Sequence, residues 1–433
     1  MTAIAAKGSS RARHFSSARR GGAAVDGNDL TEAAESRWCR GTAGPRGLRR
    51  VAVVTGTRAE FGLLETVLRA MKARKRPEFR LIVTGMHLLP KFGRTIDHIR
   101  RAGWRIDATV PMQTGRDDAA GEAQAVGRGL GGIARALDRL GCDSVLVLGD
   151  RIEAFAGACA AACSRRILVH IHGGDRATGD VDDALRNAIS RMAHVHLVAS
   201  QEAAERLCRM GEQSFRIHRV GAPGLDDIRR FRQADRRDRR GADRRVAALL
   251  GPIAADSYAL VALHPRGRPA QTEAATAQHL AAAVEAYGLA GVAVYPNSDP
   301  GHEGILQVLA AVADRPWWRV FPSLTREDYI RVASRATVLV GNSSSGIIES
   351  ASLGLTAVDI GPRQNGRLAC GPGVIHCGES LADIRRGIRL AVSRRRPAAG
   401  CSVYGDGRAG IRIARILSRL IISPLLARKE LVY

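Results

Sequence analysis

From Arg50 onward, short runs that are apolar at nearly every position alternate with longer stretches of helical spacing. Val51–Thr55, Arg80–Thr84, Ser144–Leu148, Ile167–His172 and His194–Ala199 are such runs, each ending in polar or glycine-rich residues. Runs without polar alternation suit parallel strands buried on both faces. Phe61–Lys75 and Ile152–Ala162 carry the helical spacing between them. A second series follows: Ala259–Leu263, Val292–Tyr295, Trp318–Val320, Val338–Val340 and Thr356–Ile360. Strands and helices alternating in two series predict an α/β chain of two Rossmann-like doubly wound domains facing a cleft. Ligands of such sheets collect at the carboxyl ends of the strands.

The pattern also sets the expected boundaries. Residues 1–48 are rich in Arg, Ser, Ala and Gly, have no apolar periodicity, and read as a disordered basic tail. An organellar leader is the alternative, and the lack of an apolar h-region argues against secretion. The first domain is expected over 49–220 and the second over 246–403. Between them 221–245 reads as an Arg-rich linker or solvated helix, and 404–433 as a C-terminal helix packing back across the domains. Within that last segment, 411–426 has amphipathic spacing interrupted by Pro424. The glycine run Gly127–Gly132 reads as a loop or loosely packed helix, since no strand precedes it as a dinucleotide site requires.

Composition changes this picture little. The 433 residues carry a net charge of +24, which invites a nucleic-acid reading. Only five of the 66 basic residues are lysine, a skew that phosphate binding does not demand and that a GC-rich coding sequence produces. Aromatics are 4%, too few for a base-stacking protein. No apolar run reaches the roughly 18–20 residues that span a bilayer. The eight cysteines form no CxxC pair, so reduced, buried thiols in a cytoplasmic protein are expected.

Polar clusters stand just past the strand ends. Thr55-Gly56-Thr57-Arg58-Ala59-Glu60 follows the first strand, where Arg58 suits a phosphate. Gly149-Asp150-Arg151 follows the strand at 144–148, and His170-Ile171-His172-Gly173-Gly174-Asp175 ends the next. Asp182-Asp183 and Arg186 come shortly after. Carboxylates and histidines crowded in one cleft push pKa values apart and make acid/base pairs. In the second half His264-Pro265 and Tyr295-Pro296-Asn297-Ser298-Asp299 occupy equivalent places. Gly341-Asn342-Ser343-Ser344-Ser345-Gly346 is a Gly/Ser turn between a strand and a helix, suited to cradling phosphate, with Glu349 able to accept ribose hydroxyls. Arg363 and Arg367 add candidate phosphate or sugar contacts.

These pieces, taken in order, carry a resemblance. TGTRAEFG (55–62), VTGMHLLPKFGRT (83–95), LGDRIE (148–153), HIHGGD (170–175), DDALR (182–186), HP (264–265), PNSD (296–299), GNSSSGIIE (341–349) and GPRQNGR (361–367) resemble the UDP-N-acetylglucosamine 2-epimerases, specifically the hydrolysing branch of sialic-acid-type pathways. The resemblance spans about 50–430. It implies the glycosyltransferase B fold, with catalysis on the N-terminal side and nucleotide held by the C-terminal half. It also implies cleavage of UDP-N-acetylglucosamine to UDP and N-acetylmannosamine through a 2-acetamidoglucal. No cofactor or essential metal, no nucleic acid and no membrane is implied, and the protein would be a homo-oligomer, dimer or tetramer.

Carried over by position, Asp150 and Asp182 are the acid/base candidates, with His172, His170 and Asp175 beside them. Arg151 and Arg186 would fix the diphosphate or the carboxylates. Arg58, His264, Asn297, Ser343, Ser344, Ser345, Gly346, Glu349 and Arg363 would hold nucleotide or substrate. Asp175 stands where the family usually has Glu, and Asn187 where it has His. A non-hydrolysing epimerase releasing UDP-N-acetylmannosamine, a GDP-sugar homologue of legionaminic-type pathways, and a glycosyltransferase of the same fold remain as alternatives.

Overall fold

The computed structural model describes residues 46–432 except 115–117, 177–180, 256, 298 and 401. The expected tail up to residue 45, and Ser298 of the PNSD motif, lie outside the described residues. The strands are β1 (Arg46–Gly47), β2 (Arg50–Thr55), β3 (Glu78–Thr84), β4 (Ala108–Val110), β5 (Ser144–Leu148), β6 (Ile167–Ile171), β7 (Val195–Val198), β8 (Ile217–Arg219), β9 (Tyr258–Ala262), β10 (Ala290–Val294), β11 (Trp318–Phe321), β12 (Val338–Gly341), β13 (Thr356–Ile360), β14 (Val374–Cys377) and β15 (Ile421–Ile422). They form a seven-stranded sheet ordered β4-β3-β2-β5-β6-β7-β8 and a six-stranded sheet ordered β11-β10-β9-β12-β13-β14. Every pair in both sheets is parallel. Both orders reverse at an interior strand, β2 in one sheet and β9 in the other, which creates the crevice where doubly wound sheets bind ligands.

The apolar runs become strands because both faces are covered. Val51, Val53, Leu81, Leu146 and Val169 enter one cluster with Leu64, Leu68 and Met71 of helix Arg58–Arg74, while Ala52, Val54, Val145 and Val147 face another with Ile133 and Ala156. The glycine run is part of helix Ala119–Leu140, not a loop. A Cβ at Gly129 would lie 3.1 Å from that of Ala156, so the glycines let this helix lie close on helix Ile152–Cys163.

The segments flanking and joining the two sheets also form ordered elements. Arg46 and Gly47, assigned to the tail, pair antiparallel with Ile422 and Ile421, and Leu48 is buried. The Arg-rich segment is two helices, Gly224–Arg237 and Arg239–Leu250, interrupted at Asp238. Ile228, Phe231, Val246 and Leu250 bury one face, and several arginines are tied to neighbouring carboxylates, as Arg245 is to Asp328 at 2.7 Å. After 404, helix Ala409–Arg419 stops before Pro424 and packs Ile413, Ala414 and Leu417 into the first half's core. Of the cysteines expected to be buried, Cys163 and Cys208 are exposed. Among the described residues, no helix is long and apolar enough to cross a membrane.

One turn of the second sheet has little tolerance. Gly341 ends β12 with φ 147°, and a Cβ there would lie 2.1 Å from the Ala262 carbonyl oxygen. Gly341→Ala is expected to destabilise the fold by about 1–3 kcal/mol, an overpacking-sized loss measurable by urea denaturation.

Candidate active site

The turns after β2, β5 and β6 present the N-terminal half of the site. Thr57 caps helix Arg58–Arg74, accepting from the Glu60 N–H at 3.3 Å, and Glu60 in turn accepts from the Gly56 N–H at 3.1 Å. This fixes the turn that presents Arg58, whose Nη1 is buried without a hydrogen-bond partner in the protein. Burial lowers the Arg58 pKa to about 10, leaving a cation short of counter-charge. Such a group favours an anion.

Asp150 and Asp182 come from different elements. Asp150 follows β5, and Asp182 opens helix Asp182–Met192. Four residues later on that helix, Arg186 donates from Nη2 to the Asp150 carboxylate and from Nη1 to the His172 carbonyl at 2.8 Å. It thus ties the β5 turn to the β6 turn. Burial would raise the Asp150 pKa, but the charges of Arg186, Arg367 and Arg151 outweigh it and hold the carboxylate ionised. At Asp182, burial and then the Asp150 charge raise the pKa to about 6. The pKa values of two neighbouring carboxyl groups are thereby driven apart.

The raised pKa has a sign for stability. Asp182 binds its proton more tightly folded than unfolded. Its contribution favours folding below about pH 4 and is lost as pH rises through about 6. Asp182→Asn is therefore expected to gain about 2 kcal/mol relative to the parent protein between pH 4 and 7, read from paired denaturation curves.

His172 adopts φ 65°, a backbone conformation sparse for residues with a Cβ. Its N–H donates to Leu197 at 3.1 Å, and Asp175 meets its Nδ1 at 2.8 Å. Burial opposes ionisation of Asp175, yet the hydrogen bond from His172 brings its pKa down to about 2. The carboxylate therefore orients the imidazole. His170, expected among the catalytic groups, stands differently. It is fully buried in β6, with Nε2 2.8 Å from the Gly149 carbonyl and Nδ1 3.1 Å from Ser190 Oγ. Both nitrogens are taken and burial drops its pKa to about 3. It braces the turn carrying Asp150, and neither ring nitrogen is left for a substrate.

The C-terminal half supplies the facing wall. Asn342 accepts from the His264 N–H at 2.7 Å and donates to its carbonyl at 2.8 Å, locking the turns after β9 and β12 together. The Asn297 N–H donates to His264 Nδ1 at 3.1 Å. Burial lowers the His264 pKa to about 3, so the ring is neutral with its proton on Nε2, a donor. Ser343 caps the short helix Ser344–Ile348, accepting from the Ser345 N–H at 3.4 Å. The Ser345 hydroxyl is 2.5 Å from Tyr329 Oη. Gly346 packs closely, a Cβ there lying 3.2 Å from Leu339 Cδ2 and 3.4 Å from Ala357 Cβ.

Ion pairs cross between the halves in opposite senses. Arg151, after β5, pairs with Asp299, and Arg363, after β13, reaches Asp182 at 3.5 Å. Arg367 donates to the Arg176 carbonyl at 2.7 Å. Sequence reasoning left Asp299 out of the site although it ends the PNSD motif. It also missed Arg326, whose guanidinium grips both oxygens of Glu349 at 2.8 and 3.0 Å. Nothing local to Arg326 signals a partner 23 positions on.

Against this geometry, comparison with known proteins is consistent. The family model of UDP-N-acetylglucosamine 2-epimerase matches residues 69–418. The UDP-N,N'-diacetylbacillosamine 2-epimerase (hydrolyzing) of Legionella pneumophila is 33% identical over 388 residues, covering 88% of this chain and 99% of the relative. A UDP-N-acetylglucosamine 2-epimerase of Neisseria meningitidis is also 33% identical, over 80% of this chain and 88% of its own. In fold, the chain is similar to the UDP-GlcNAc 2-epimerase of Methanocaldococcus jannaschii crystallised with UDP-GlcNAc and UDP. The TM-score is 0.71 at 17% identity, covering 85% of this chain and 99% of that one. The chain belongs to the UDP-N-acetylglucosamine 2-epimerase family.

Proposed function

We propose that the protein is a hydrolysing 2-epimerase of UDP-linked 2-acetamido sugars, releasing UDP and the free 2-epimer, for sialic-acid-type sugar biosynthesis. The observation that carries this reading is the pair Asp150 and Asp182, one held ionised and the other with its pKa raised to about 6, so that it can take up and give a proton. In the proposed course, the Asp150 carboxylate takes the proton from sugar C2 as the C1–O bond to UDP breaks, leaving a C1–C2 double bond. Water then adds its oxygen to C1, and Asp182 delivers a proton to C2 from the opposite face. His172, oriented by Asp175, steers that water and takes its proton. Arg58, the neutral His264, Arg151, Arg363, Asn297 and the Ser343–Gly346 turn would receive the diphosphate, and Glu349 the ribose hydroxyls. Asp175 in place of Glu retains the charge with a shorter reach.

Incubation with UDP-N-acetylglucosamine and with UDP- and GDP-N,N'-diacetylbacillosamine in D2O, followed by NMR, tests the reading. The expected product is free 2-epimerised sugar carrying deuterium at C2, together with nucleoside diphosphate. Release of an intact epimerised nucleotide sugar would favour the non-hydrolysing alternative, and folded protein inert toward all three would sink the assignment. The Legionella relative, matched over almost its whole length, favours the diacetylated sugar as a second reading of the substrate.

A further inference from the structure

Helix Arg326–Arg335 lies behind the Gly/Ser turn and touches it at two points one helical turn apart. Tyr329 meets Ser345, and Arg326 takes Glu349 in a two-pronged ion pair. The pair is almost wholly out of water: the side chains of Arg326 and Glu349 are 14% and 6% exposed. Arg326 Nη2 also donates to the Gly224 carbonyl at 2.8 Å, at the start of the helix that leads out of the first half. A Cβ at Gly224 would stand 2.5 Å from Glu349 Oε1 and 3.1 Å from Arg326 Nη2, so the ion pair lies close against the Gly224 backbone.

We propose that Arg326 is a positioning residue for nucleotide selection: it aims the Glu349 carboxylate so that its remaining lone pairs accept the two hydroxyls of a ribose. The inference rests on the nucleotide-sugar reading above and adds a residue that touches no ligand itself. A carboxylate oxygen has two acceptor sites, and the planar guanidinium uses one on each oxygen in a fixed plane. The outward lone pairs then lie in a defined direction. The guanidinium also offsets a negative charge that would otherwise repel the nearby diphosphate. A lysine ammonium is a point donor and cannot hold both oxygens in one plane.

The test titrates UDP and 2'-deoxy-UDP by calorimetry into the full-length protein and its Arg326→Met, Arg326→Lys, Glu349→Gln and Gly224→Ala variants. The parent protein should prefer UDP by about tenfold or more, the value of one hydrogen bond to a charged acceptor. Arg326→Met and Arg326→Lys should bring that preference to within about threefold of unity, mostly by weakening UDP. In turnover they should raise KM more than they lower kcat. Gly224→Ala, which displaces the same carboxylate, should act likewise and serves if Arg326→Met does not fold. A merely structural role would weaken both nucleotides alike and leave their ratio unchanged. Folded Arg326 variants that retain the parent's preference, while Glu349→Gln loses it, would overturn the inference. A parent protein that binds neither nucleotide would instead sink the underlying functional reading.

Discussion

Asp182→Asn is expected to reduce turnover by about 10²–10⁴-fold, the range for losing a positioned acid or base. UDP affinity should remain within a few-fold of the parent protein. The amide has nearly the carboxyl's shape but no proton to deliver to C2. The parent carboxyl is well placed to keep one, because burial and the Asp150 charge raise its pKa to about 6. Arg363, its partner across the cleft at 3.5 Å, is then freer to meet a diphosphate. Steady-state release of UDP together with calorimetric UDP titration checks both halves of the expectation. Undiminished turnover would take Asp182 out of the chemistry.

Arg186→Met is expected to be worse in a different way. The guanidinium is buried between Asp150 and the His172 carbonyl, and its removal leaves an ionised Asp150 without its main counter-charge. Breaking a buried pair on one side costs about 3–5 kcal/mol. The Asp150 pKa should then rise toward neutrality, so residual protein should lose its C2 base as well as stability. Chemical denaturation and turnover, measured on the same preparation, should fall together. A variant as stable as its parent would mean that Asp150 finds other compensation, most directly from Arg367 or Arg151.

Much of the architecture could be read from the residue pattern. Ser144–Leu148 and Thr356–Ile360 are strands over the expected residues, because both lie inside their sheets and are buried on both faces. Within the two large sheets, the strands that escaped notice, β4, β8 and β14, have three or four residues and carry polar positions such as Thr109, His218 and His376. They are defined by their neighbours rather than by their own pattern. Gly127–Gly132 left loop and helix both open because glycine's local cost in a helix is visible in sequence, whereas the helix packed against it is not. At the site, groups just past strand ends could be located because the fold puts strand ends at the cleft. His170 and His172 alternate in sequence, and only the bonds to Gly149 and Ser190 distinguish the brace from the residue beyond the strand end. Arg326 escaped for the opposite reason: its meaning lies entirely in distant Glu349 and Gly224.

The return of the chain to its beginning governs how it must be made. Helix Ala409–Arg419 lies against helix Arg58–Arg74, Ile421 and Ile422 pair with Gly47 and Arg46, and Arg216 donates to the carbonyls of Leu425 and Leu426 at 2.8 Å. Domains usually fold in the order of synthesis. Here the half made first lacks part of its core until Ile413, Ala414, Leu417 and Leu426 have been made. A nascent chain paused after the second sheet would therefore present an unfinished apolar face on the first.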